Sequence, residues 1–216
     1  MSDQFNRGGG VLSFLSKVFD VIFLSVLWAL FCIPIITIGP STTALYYTTA
    51  KVIRRDRGYV WHEFWHAFKS NFVTGAIYTV VLAAFVVLLA LGLIITQGQT
   101  DTTMKVARYS YIMLAVIISC GYAFLFPILS RFTFSKLQLF KMSYLVAFKH
   151  LPTTIFLVLM LFCGGTVMFY ILPLVIILPA IISLLCSLAI EKVFKKYLPK
   201  PETGIPEDEL KWYQTF

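Results

Sequence analysis

Five apolar runs of near-membrane length fill most of the sequence, and no other feature constrains the fold as much. They are Val18–Ile38, Val73–Thr96, Val106–Leu129, Thr153–Ile171 and Leu174–Ile190. Each is close to the ~20 residues that an α-helix needs to cross the hydrocarbon core of a bilayer. The expected fold is therefore all-α: a polytopic membrane protein with five transmembrane helices, forming one domain over residues 1–216. Composition agrees, because only 13% of the chain is charged whereas a soluble domain has about a quarter. Most soluble enzyme classes are excluded at this step.

The net charge of +8 would suggest nucleic acid as the partner of a soluble protein. Here its distribution supplies another cause. Fourteen of the eighteen basic residues lie in segments 39–71, 130–152 and 191–216, which share one side if all five runs cross. Positive residues mark the cytoplasmic side. The expectation is an N-terminus outside, with residues 1–16 as an extracytoplasmic lead, and a cytoplasmic C-terminal tail over 191–216. Lys105 and Arg108 sit against the rule at the outer end of the third run. Asp20 lies near the outer end of the first run, either exposed or paired with one of them. No cleavable signal peptide is expected, since the first run ends in Pro34-Ile35-Ile36-Thr37 rather than at a small-residue site. Cys32, Cys120, Cys163 and Cys186 all fall inside the runs and read as small apolar packing residues.

Segments 41–72 and 130–152 are expected to form cytoplasmic interfacial helices. Gly39 and Pro40 break the first span. Ser41 or Thr42 then caps a helix over 42–56, and Thr37 and Thr42 are placed to satisfy backbone groups freed at the break. Residues 59–72 make the clearest amphipathic helix. Trp61, Phe64, Trp65, Phe68 and Phe72 share an arc, opposite His62, Glu63, His66, Lys69 and Ser70. Such a helix suits a membrane surface. Segment 137–150 repeats the arrangement less cleanly with Leu137, Phe140, Tyr144 and Phe148. Ala67-Phe68-Lys69 recurs as Ala147-Phe148-Lys149, each ahead of an apolar run. These features suggest a parallel internal repeat over about 59–130 and 137–190. Pro173 is expected to start the last span and Pro179 to kink it.

The residues offer three candidate chemistries. His62-Glu63-Phe64-Trp65-His66 fits H-E-x-x-H, whose histidines can share a zinc ion while the glutamate serves as base. A third ligand is required, and His150 is the only other histidine. A solvated helix face explains the same residues better. A channel would need a polar path lined by Thr74, Tyr78, Thr79, Ser110, Tyr111, Ser119, Tyr122 and Thr166. Charges within the membrane, the usual mark of ion-coupled transport, are almost absent from the runs. The basic run Lys51, Arg54, Arg55 and Arg57 can contact anionic headgroups. There is no P-loop, and no metal or other cofactor is expected.

The stretch Pro34-Ile35-Ile36-Thr37-Ile38-Gly39-Pro40-Ser41-Thr42-Thr43-Ala44-Leu45-Tyr46-Tyr47 is the most distinctive in the sequence. It resembles the signature of the YesL-like family, bacterial membrane proteins grouped as a domain of unknown function. Tyr59-Val60-Trp61, Phe64 and Phe68-Lys69-Ser70-Asn71-Phe72 fit the next part of that pattern. The resemblance is strong over about residues 15–75. It implies a non-catalytic accessory subunit or assembly factor of a carbohydrate ABC importer in the bacterial plasma membrane. The implied partners are the lipid bilayer and importer permease subunits, not nucleic acid. It carries over no catalytic residues. The residues expected to matter structurally are Thr37, Gly39, Pro40, Thr42, Trp61, Trp65, Phe68 and Asn71.

Overall fold

A computed structural model describes residues 3–98, 101–132 and 135–196. These residues are helical throughout, with no strand among them. Eight α-helices follow one another: α1 (Asp3–Phe31), α2 (Ile38–Thr48), α3 (Val60–Ser70), α4 (Phe72–Thr96), α5 (Thr102–Arg131), α6 (Lys136–Lys149), α7 (Leu151–Tyr170) and α8 (Leu178–Phe194). Three of them, α4, α5 and α7, are long and apolar enough to cross a membrane. The order α3–α4–α5 is echoed by α6–α7–α8, each a short helix ahead of longer ones.

The N-terminal third differs most from expectation. The helix expected to reach Ile38 stops at Phe31, and residues 3–16 of the expected lead belong to α1, which starts at Asp3; residues 1–2 lie outside the described residues. The chain turns through Cys32–Thr37, and α2 returns alongside α1. Trp28 Nε1 donates to Thr42 Oγ1 at 3.3 Å near the turn. Lys17 Nζ meets Asp56 Oδ2 at 2.9 Å at the open end. The two helices form an antiparallel hairpin.

Gly39 and Pro40 do not break a helix; they stand in the first turn of α2. Proline is tolerated there because its missing N–H has no helical acceptor. Gly39 is needed for contact instead. A Cβ at Gly39 would lie 2.5 Å from the Gly75 carbonyl oxygen, and one at Gly75 would lie 2.8 Å from the Pro40 nitrogen. Small residues let α2 and α4 touch through their backbones.

Most of α2 is buried, from Gly39 to Thr48, and burial continues through Thr49, Ala50, Val52 and Ile53. An interfacial helix would keep one face wet, so the reading of 42–56 as interfacial is corrected: α2 is packed against α1, α3, α4, α5 and α8. Helix α3 falls within its expected limits of 59–72, but part of its aromatic arc turns into the protein while Trp61 and Phe72 stay exposed. Phe64 and Phe68 are buried, with ring centroids 5.6 and 5.0 Å from that of Phe31.

Helix α6 behaves differently. Its buried residues are Leu139, Ser143, Val146 and Ala147, while Leu137 and Phe148 of the expected apolar stripe point outward. The last expected span is also shifted. Pro173 lies in a 3₁₀ turn over Leu172–Ile176, and Pro179 opens α8 rather than kinking it.

Candidate functional site

The strongest polar constellation joins three elements at one end of the helices. After α2 the backbone widens into a π-turn over Thr49–Ile53, with Arg54 N–H donating to the Thr49 carbonyl at 3.1 Å. Such insertions re-aim the residues that follow. Arg54 Nη1 reaches the Ser187 carbonyl of α8 at 3.3 Å. Arg55 Nη2 meets Glu191 Oε2 at 2.9 Å. The other oxygen of Glu191 accepts from Arg131 Nη2 at the last turn of α5. The side chains of Arg131 and Glu191 are only 2% and 3% exposed. One carboxylate thus ties the end of the N-terminal hairpin to α5 and α8. Burial, then the neighbouring Arg54 charge, holds Arg55 below the ordinary arginine value. A guanidinium is a donor only and no proton acceptor. The cluster is built to hold helices, not to move protons.

Beside it lies an apolar cavity of about 220 Å³ between α2, α5, α7 and α8, with Trp28 of α1 at its edge. Tyr46 and Ser183 are among its lining residues.

The sequence-derived residues fall elsewhere. Thr37 Oγ1 donates to the carbonyls of Phe31 at 2.5 Å and Pro34 at 2.7 Å, as expected of a residue satisfying a broken helix end. Thr42 Oγ1 donates to the Ile38 carbonyl at 2.7 Å. Trp61 is exposed and stacks on the half-buried Trp65, their centroids 5.9 Å apart. Phe68 is core. Asn71 separates α3 from α4, its Nδ2 donating to the Ala67 carbonyl at 3.0 Å.

His62 and His66 are exposed, whereas Glu63 is buried, not on the wet face expected of it. Lys51 Nζ holds the Glu63 carboxylate at 2.6 Å. Among the described residues no third ligand gathers with these histidines. Asp20 lies within electrostatic range of Asp56, and Arg108 donates to the Thr96 carbonyl instead of pairing with it.

The buried trio was not found from the sequence. Arg55 and Arg131 looked like ordinary cytoplasmic charges, and Glu191 like a span end. The available signal was a single acidic residue directly after the last apolar run, ahead of Lys192, Lys195 and Lys196.

Comparison with protein families gives one match. Residues 21–93 fit the family model described as protein of unknown function, DUF624. This is the family that the motif resembled. The DUF624 match spans the second half of α1, the hairpin turn, α2, α3 and most of α4, so it includes Arg55 but ends before Arg131 and Glu191. Comparison with curated proteins and with solved structures gives no match.

Proposed function

We propose that this chain is a non-catalytic accessory subunit or assembly factor of a carbohydrate ABC importer in the bacterial plasma membrane. The observation that carries the partner reading is the outer surface of α4 and α7. Only 17% of the most apolar stretch of each is buried, against 44% in α5. Two whole helices are left for lipid or for the helices of another membrane protein. The importer itself is suggested by the family resemblance.

A channel is less favoured. Ser110, Ser119 and Thr166 donate to carbonyls of their own helices and lie on the outside of the bundle. Tyr122 donates to the Tyr78 carbonyl, and Tyr78 to that of Lys136. These groups do not converge on a path. The zinc-protease reading is disfavoured by the Lys51–Glu63 pair, which occupies the carboxylate that would serve as base.

For the topology we propose a change from five crossings to four, made by α4, α5, α7 and α8, with the α1–α2 hairpin entering and leaving on the cytoplasmic side. The Lys17–Asp56 contact supports this, because it joins residues that a crossing by 18–38 would separate. Sixteen of the eighteen basic residues are then cytoplasmic, with Lys105 and Arg108 the exceptions. The parallel repeat of α3–α4–α5 and α6–α7–α8 fits the same arrangement, since both copies begin on one side.

The deciding experiment is gentle extraction of the tagged protein from its native membrane, followed by quantitative mass spectrometry. Near-stoichiometric sugar-importer permeases are expected. Recovery of the protein with no permease enriched would sink the accessory reading. Solute flux through liposomes holding this protein alone would favour the channel.

A further inference from the structure

We propose that the cavity between α2, α5, α7 and α8 binds a lipid acyl chain, with Tyr46 and Ser183 donating hydrogen bonds to its carboxyl-derived oxygen. This site goes beyond the accessory-subunit reading and does not depend on it. The cavity holds about 220 Å³, and an apolar cavity of ~150 Å³ already admits benzene. Its walls are hydrocarbon, including Leu45, Phe126, Leu157 and Ile190.

Four hydroxyl-bearing residues interrupt those walls: Thr42 and Tyr122, which donate to the carbonyls of Ile38 and Tyr78, and Tyr46 and Ser183. Tyr46 is 4% exposed and Ser183 is 7% exposed. The hydroxyls of Tyr46 and Ser183 have no hydrogen-bond partner among the described residues. Buried hydroxyls almost always have one, and both of these residues line the same cavity. A ligand with an apolar body and one acceptor group satisfies both conditions. A sugar does not, because its many hydroxyls would be left unpaired against hydrocarbon.

The way in is sideways. Gly165 lines the cavity from α7, is exposed, and has nothing within 4 Å of where a Cβ would stand. Its neighbour Gly164 is closed off by Ile182. Helix α7 is long and apolar enough to cross a membrane, so an opening at Gly165 meets the acyl region rather than water.

The test uses the full chain in nanodiscs of phosphatidylethanolamine and phosphatidylglycerol. A trace of probe is added and irradiated: either a diazirine-bearing fatty acid or a phosphatidylglycerol with the diazirine in its acyl chain. Label is expected on the peptides covering 157–168 and 179–190, and the probe that labels them tells a free fatty acid from a phospholipid. Gly165→Phe, which plugs the mouth without a clash at Cβ, should cut that labelling about ten-fold by removing the volume that buries the ligand. Its unfolding temperature should hold or rise. Undiminished labelling in Gly165→Phe, or label spread evenly over α4 and α7, overturns the proposal. If that variant fails to fold, the double variant Tyr46→Phe, Ser183→Ala supplies the test, because it keeps the cavity and removes both donors. Several-fold weaker labelling is expected from it, and unchanged labelling overturns the proposed hydrogen bonding.

Discussion

Glu191 joins three parts of the fold through one carboxylate. Its two oxygens hold guanidiniums from Arg55 and Arg131, residues far apart in sequence. Removing one partner of a buried ion pair costs about 3–5 kcal/mol, because a charge is left without compensation. Glu191→Gln is therefore expected to lower the unfolding midpoint in detergent steeply. Replacing all three charges by apolar residues of similar volume should recover much of the loss; a triple variant no more stable than Glu191→Gln would contradict a purely structural role. Gly75 offers a second test at this scale. A Cβ there presses on the Pro40 backbone, so Gly75→Ala should cost about 1–3 kcal/mol through overpacking, again read from thermal unfolding. The sequence pointed to Gly39 and Pro40, but for the wrong reason. Their residue types suggest a helix break, whereas the constraint on Gly39 is close contact with α4, and contact between distant segments leaves no local pattern.

Among the elements, periodicity and run length were reliable where one helix met lipid-like surroundings. The expected limits of α4 and α7 match within a few residues, because an unbroken apolar run is its own signal. Helix α3 was legible as an amphipath, yet what its aromatic face touches was not. The stripe was expected in headgroups, yet Phe64, Trp65 and Phe68 pack on Phe31. The same ambiguity hid the Lys51–Glu63 pair that pins the π-turn after α2 to α3. Burial opposes the Lys51 charge, but the Glu63 hydrogen bond and the nearby Tyr47 outweigh it, so its pKa lies above the ordinary 10.5. A raised lysine contributes stability that is complete below its unfolded value and lost as pH rises through its folded one. The unfolding midpoint of the wild type should fall relative to that of Lys51→Met only above about pH 10.5. A gap between the two that shrinks already near neutral pH would rule this pair out as the cause.

At the level of the molecule, the basic residues and the hairpin bear on one question. With the Lys17–Asp56 contact in place, a fluorescent protein fused to the N-terminus should mature and fluoresce, as on a cytoplasmic end, and a phosphatase fused there should stay inactive. The opposite pattern would restore a crossing by α1. Sequence alone favoured an outside N-terminus because it treated the first apolar run as one helix. That run is in fact the second half of α1, a turn at Cys32–Thr37 and the first residue of α2, and hydropathy averages across such a turn without registering it.

The carboxylate that ties these elements together sits in α8, the last of the described helices, and synthesis runs from the other end. Arg55 and Arg131 leave the ribosome well before residue 191. Until α8 arrives, both guanidiniums lack the partner they have in the finished protein. Assembly therefore has a built-in last step, and the chain cannot be sealed early. A chain cut short before α8 would keep the preceding helices but lose the carboxylate that joins Arg55 to Arg131.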